Sequence, residues 1–109
     1  MEIDFKDKKL RELCEQRVTA ERKLGAPCTR KLRSRLADLQ AAACVTDLVA
    51  GRPHSLQRDR AGQYSVDLEG GRRLVFEPDR QPVPCRDDGG TDWSRVTQIR
   101  IVYIGDYHD

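Results

Sequence analysis

The sequence predicts an α+β fold in which an N-terminal strand and a two-helix hairpin pack on a small antiparallel β-sheet. Three observations lead there. Apolar residues recur at steps of three and four through the first half of the chain, they alternate at steps of two from Tyr64 onward, and glycine or proline stands at each change of period. Glu2-Ile3-Asp4-Phe5 alternates polar with apolar and forms a short edge strand. Asp7 follows as a helix cap, and Leu10, Leu13, Cys14 and Val18 then make one apolar stripe on a helix whose other face is charged. Gly25-Ala26-Pro27 ends that helix. The second helix has Thr29 as its cap and Leu32, Leu36, Leu39, Ala43 and Leu48 as its buried side. Past Gly51 the strands begin: Tyr64, Val66 and Leu68 alternate with Ser65, Asp67 and Glu69, Gly70-Gly71 supplies a tight turn, and Arg72 to Glu77 returns. Pro78 to Asp92, rich in proline, glycine and charge, reads as a long mobile loop pinned at its far end by Trp93. Val96 to Ile104 is the last and most apolar strand.

Length and composition bound the function. A chain of 109 residues is one domain, residues 1–109, able to bury a core without metal or disulfide staples. Its formal charge is only +2 with 35% charged side chains, so the local distribution of charge carries more information than the total. Arg30 to Arg35, Arg52 to Arg60 and Arg72-Arg73 are the basic stretches. No apolar run approaches the roughly 20 residues that span a bilayer, and the first residues lack the apolar core of a secretory signal. A cytoplasmic protein with reduced thiols is expected. Cys14, Cys28, Cys44 and Cys85 have no zinc-like spacing; Cys14 and Cys44 read as small core residues and Cys85 as an exposed loop thiol. No metal site and no cofactor are predicted.

Two histidines stand among cationic side chains, which points to chemistry on an anion, with RNA first. His54 lies in the basic stretch that opens the strand region, and His108 lies in Asp106-Tyr107-His108-Asp109 after the last strand. A plainer role stays open to each candidate: His54 as a surface ring, Arg73 as a solvent-facing strand residue, Tyr107 as an anchor for the terminus, and Arg30 to Arg35 as a solvated helix face.

The segments His54-Ser55-Leu56-Gln57-Arg58-Asp59-Arg60-Ala61-Gly62, Arg73-Leu74-Val75-Phe76 and Gly105-Asp106-Tyr107-His108, in that order behind a strand and a helical hairpin, resemble the RelE superfamily of bacterial toxins, specifically its HigB or killer-protein branch. The resemblance implies a RelE-like fold and a metal-independent, ribosome-dependent endoribonuclease that cleaves mRNA in the decoding site by attack of a ribose 2′-hydroxyl on the adjacent phosphate. It also implies a partner antitoxin, expected to be a helix-turn-helix repressor of the HigA type. Carried over by position, His54, Arg73, Asp106, Tyr107 and His108 are the catalytic residues. Gln57 departs from the pattern, which has lysine there, so Gln57, Arg58 and Arg60 are taken as the substrate-binding group with the two arginines as substitutes for the missing charge. The competing reading is a non-catalytic module: a degenerate toxin that holds RNA and antitoxin, or a basic RNA-binding domain.

Overall fold

A computed structural model describes residues 1–106, and Tyr107, His108 and Asp109 lie outside the described residues. The chain opens with β1 (Glu2–Phe5), continues through α1 (Lys8–Glu15), α2 (Arg17–Leu24) and α3 (Ala26–Ala41), and then lays down β2 (His54–Ser55), β3 (Tyr64–Asp67), β4 (Arg73–Pro78) and β5 (Gln98–Gly105). The five strands form one sheet in the order β1-β5-β4-β3-β2. Every pairing is antiparallel except β1 with β5, which is parallel because the helices carry the chain back across the sheet between them.

The helical hairpin is present, with its first arm in two pieces. Asp7 caps α1 as expected, its Oδ1 accepting the Leu10 N–H at 2.9 Å. Gln16 is extended (φ −118°, ψ 104°) and separates α1 from α2. That one residue resets the buried face, which moves to Ala20, while Val18, expected in the apolar stripe, is 61% exposed. Gly25 at φ +83° makes the corner, and Pro27 falls in the first turn of α3, where its missing N–H costs nothing. Thr29 is therefore no cap. It is buried one turn inside α3, where its hydroxyl donates to Gly25 O at 2.8 Å. The helix stops at Ala41, so Leu48 lies beyond it, after a 3-10 turn at Val45–Asp47.

One face of the sheet meets the helices. Leu74, Phe76, Ile99 and Ile101 from the strands join Leu32 and Leu39 from α3, with Val45 and Val96, in a core that excludes solvent. Cys28 is the fully buried thiol; Cys14 and Cys44 are only half-buried, a correction to the expectation, and Cys85 is exposed as expected. Burial, and then the Glu15 charge, push the Cys14 thiol up to about 12.

The segment between β4 and β5 is tied back on itself rather than being a featureless loop. Cys85 bridges Thr91, and the turn between them closes with Arg86 N–H to Gly90 O at 2.7 Å. Asp92 then caps the 3-10 turn Trp93–Arg95 and pairs with Arg95 at 3.0 Å. The Ser94 hydroxyl first, then Arg95, hold the Asp92 carboxyl below the usual carboxylate range. Trp93 pins the far end, its ring 4.8 Å from that of Tyr64.

Candidate functional site

The sheet face turned away from the helices carries the site. Partners in register share a face. His54 opposes Ser65, Asp67 opposes Arg73, Val75 opposes Tyr103, and Arg73 opposes Gly105. His54, Asp67, Arg73 and Tyr103 thus stand on one surface although they come from four strands. Asp106 follows directly on the residue opposite Arg73.

Tyr103 reaches that face through a bulge. Phe76 pairs with Ile101 while its neighbour Val75 pairs with Tyr103, so Val102 is the extra residue in β5. Strict alternation would have kept Tyr103 on the side of Ile99 and Ile101. Its ring instead lies under the Arg60 guanidinium, 4.7 Å from centroid to Cζ, and over Gly105, where a Cβ would stand 2.5 Å from the Tyr103 hydroxyl.

Two guanidinium groups flank one carboxylate. Arg52 Nε is 3.1 Å from Asp67 Oδ2, within hydrogen-bond range, while Arg73 Nε is 3.6 Å from Asp67 Oδ1, an ion pair without a hydrogen bond. Arg52 itself sits in the left-handed region at φ +50°. Its carbonyl oxygen lies 2.8 Å from His54 Nδ1. A carbonyl only accepts, so Nδ1 carries the proton and Nε2 is the acceptor of the neutral ring. His54 is thereby set to take a proton at Nε2, the nitrogen whose lone pair Nδ1–H leaves available.

Of the other expected residues, Arg60 is half-buried against Tyr103 and also donates to Gln63 Oε1 at 3.1 Å. Arg58 is exposed and left-handed at φ +56°, and Gln57 is exposed just before it. Arg72 is structural: it donates to Leu24 O at 3.2 Å, at the end of α2. In the α3 basic run Arg35 is turned inward against Asp38, and Arg30, Lys31 and Arg33 stay exposed. Tyr107 and His108 were expected in the site and lie outside the described residues. Asp67 and Tyr103 escaped the sequence reading: an acid in an alternating strand carries no special signal, and a bulge moved the tyrosine. Among the described residues no group of three or more His, Cys, Asp or Glu side chains could hold a metal ion, and no helix is long and apolar enough to cross a membrane.

The same architecture is found in a YoeB/ParE toxin from Agrobacterium tumefaciens, 12% identical over 99% of this chain and 100% of that one, with a TM-score of 0.61. The fold is that of YoeB/ParE toxins. A chain of the YoeB–YefM complex from Staphylococcus aureus superposes at TM-score 0.59 and 16% identity, over 100% of this chain and 98% of that one. The YoeB dimer from the same organism gives 0.58 and 17%, with the same coverage. No protein-family model and no curated protein matches the chain.

Proposed function

We propose that this chain is the toxin of a type II toxin–antitoxin system and a metal-independent endoribonuclease that cuts mRNA on the ribosome. One observation carries the reading: the His54 imidazole and the Arg73 guanidinium, 19 positions apart in sequence, share the sheet face turned away from the helices, toward the end of β5 that Asp106 follows. The YoeB/ParE fold supports it.

The chemistry follows from the residue types. The ribose 2′-oxygen attacks the adjacent phosphorus in line with the 5′-oxygen; the P–O5′ bond breaks, leaving a 2′,3′-cyclic phosphate and a 5′-hydroxyl. The 2′-hydroxyl proton passes to a base and the 5′-oxygen takes one from an acid, each transfer typically worth ~10²–10⁴-fold. His108 is proposed for proton transfer, with His54 as the second group or as a phosphate contact. Arg73 cannot give up a proton, so its part is electrostatic: its planar fork matches the non-bridging oxygens where charge builds. Tyr107 stacks on a base or donates a hydrogen bond, and Asp106 orients an imidazole or contacts a nucleotide.

Within the superfamily, the His54–Gly62 and Asp106–His108 segments favour a HigB-like member. One S. aureus neighbour is a chain of a complex with YefM; for this chain an antitoxin is proposed as the partner, a helix-turn-helix protein of the HigA type, with the cytosol as the site of action. Gln57, where the resembled pattern has a lysine, favours the competing reading of a non-catalytic toxin that still holds RNA and antitoxin. Induction of the wild type and of His108→Ala in bacteria, with mRNA 5′ ends mapped, separates the two. Growth arrest with new ends inside translated codons, lost in the variant, is expected. No new ends from either chain would leave the binding module standing.

A further inference from the structure

The tied segment between β4 and β5 encloses a cleft that the reaction chemistry above does not use. It lies beside His54: Ser55, Leu56 and Gln57, the next three residues, form its inner wall, and Arg86, Thr91 and Trp93 form its outer one. Its volume is about 190 Å³. Pockets that enclose a drug-sized ligand hold roughly 300–1,000 Å³, so this one admits a single ring system and leaves the rest of the ligand outside. Leu56 is buried and supplies an apolar floor, and Trp93, braced on Tyr64, an aromatic wall. The polar groups are a glutamine amide and two hydroxyls, with donors and acceptors together, as the edge of a nucleobase requires. Among the described residues that line it the cation is Arg86, 60% exposed and paired with Asp88 at 3.3 Å. Its guanidinium lies across Gly90, where a Cβ would come within 2.5 Å of Nη2.

The geometry points to a nucleobase subsite: the cleft takes a base that flanks the cut phosphate, with the ring between Leu56 and Trp93, its edge read by Gln57, and the adjoining phosphate met by Arg86. This rests on the nuclease reading and names the part of the RNA that sets its preference. It also gives Gln57 a use. A lysine is a point charge suited to phosphate, whereas a glutamine amide discriminates among bases. Successive strand residues point to opposite faces, so His54 addresses the face turned away from the helices while Ser55, the very next residue, lines the cleft on the other side. β2 is the edge strand and only two residues long, so an RNA strand with its phosphate at His54 places a base in the cleft by passing over that edge.

Trp93 is the only tryptophan, so its fluorescence reports on the cleft without any cutting. The probe is a set of four trinucleotides that differ in one flanking base and carry a 2′-deoxy sugar at the cleavable position, which removes the attacking hydroxyl. A saturable change is expected, with one base favoured roughly fivefold or more, as a single good edge contact gives. That preference is expected to flatten in Gln57→Leu. Arg86→Ala is expected to weaken all four alike and to lower the salt dependence by about one phosphate contact. In translating cells the favoured base should recur at a fixed offset from the mapped 5′ ends. No saturable response, or a preference unchanged in Gln57→Leu, would overturn the subsite even where wild-type cuts are seen. Gln57-dependent binding without any cuts would instead keep the subsite and remove the nuclease.

Discussion

Asp67 is the hinge of the site's electrostatics, and replacing it with asparagine separates orientation from mere neutralisation. The substitution keeps the side-chain shape and an acceptor oxygen while removing the charge that faces Arg52 at 3.1 Å and Arg73 at 3.6 Å. The Arg52 side chain is 66% exposed, so its pair is screened and contributes about 0.5 kcal/mol. Arg73 is 23% exposed, which puts its pair nearer the upper end of the surface range, about 1 kcal/mol. Asp67→Asn should therefore lower stability by about 1–2 kcal/mol. With a urea slope of roughly 1–3 kcal/mol/M for a small domain, the midpoint falls by about 0.3–2 M. Salt provides the control. At 1 M the screening length drops to about 3 Å, and the difference between wild type and variant should shrink by half or more. For cutting, an Arg73 no longer aimed by Asp67 is displaced by less than the ~1 Å that costs about 10²-fold, so a loss of about tenfold is expected in mapped cuts per transcript. A midpoint shift that ignores salt would show that Asp67 acts through packing. Unchanged or increased cutting would show that it only mutes the arginine.

Arg58→Gly relieves a non-glycine residue at φ +56° and should raise stability by up to about 1 kcal/mol while weakening RNA binding; a melting temperature that falls would refute the strain. Gly105→Ala drives a Cβ to 2.5 Å from the Tyr103 hydroxyl and should cost about 1–3 kcal/mol in thermal unfolding, most of it recovered when Tyr103→Ala is added; an additive loss would mean that the ring is not the obstacle. For the thiols, a Cys14 raised to about 12 holds roughly one part in 10⁴ as thiolate at pH 8, so iodoacetamide should modify exposed Cys85 long before it. Between the ordinary thiol value of 9.0 and about 12 the unfolded chain has lost a proton that the folded chain keeps, so stability falls as pH rises through that window and should fall less in Cys14→Ala.

The sequence alone determined the strand-then-helices-then-strands order, the two helical arms, the Asp7 cap, the glycine turn before β4 and the two-residue alternation of β3 to β5, because each rests on local periodicity and backbone chemistry that neighbouring residues carry themselves; the two-residue strand β2 and the split of the first arm into α1 and α2 were not in it. It also singled out His54, Arg73 and Asp106, through short segments whose order matches a known toxin pattern. Tertiary structure decided the rest. Which residues share a face depends on register between strands distant in sequence, and only pairing brought Asp67 between Arg52 and Arg73. The bulge at Val102 moved Tyr103 across the sheet against the alternation of its own strand, since an extra residue shows no signature until its partner strand is in place. Likewise the break at Gln16 exposed Val18, and the bridge from Cys85 to Thr91 turned an apparent linker into the wall of a cleft, because both depend on what the far side of the chain offers to pack against.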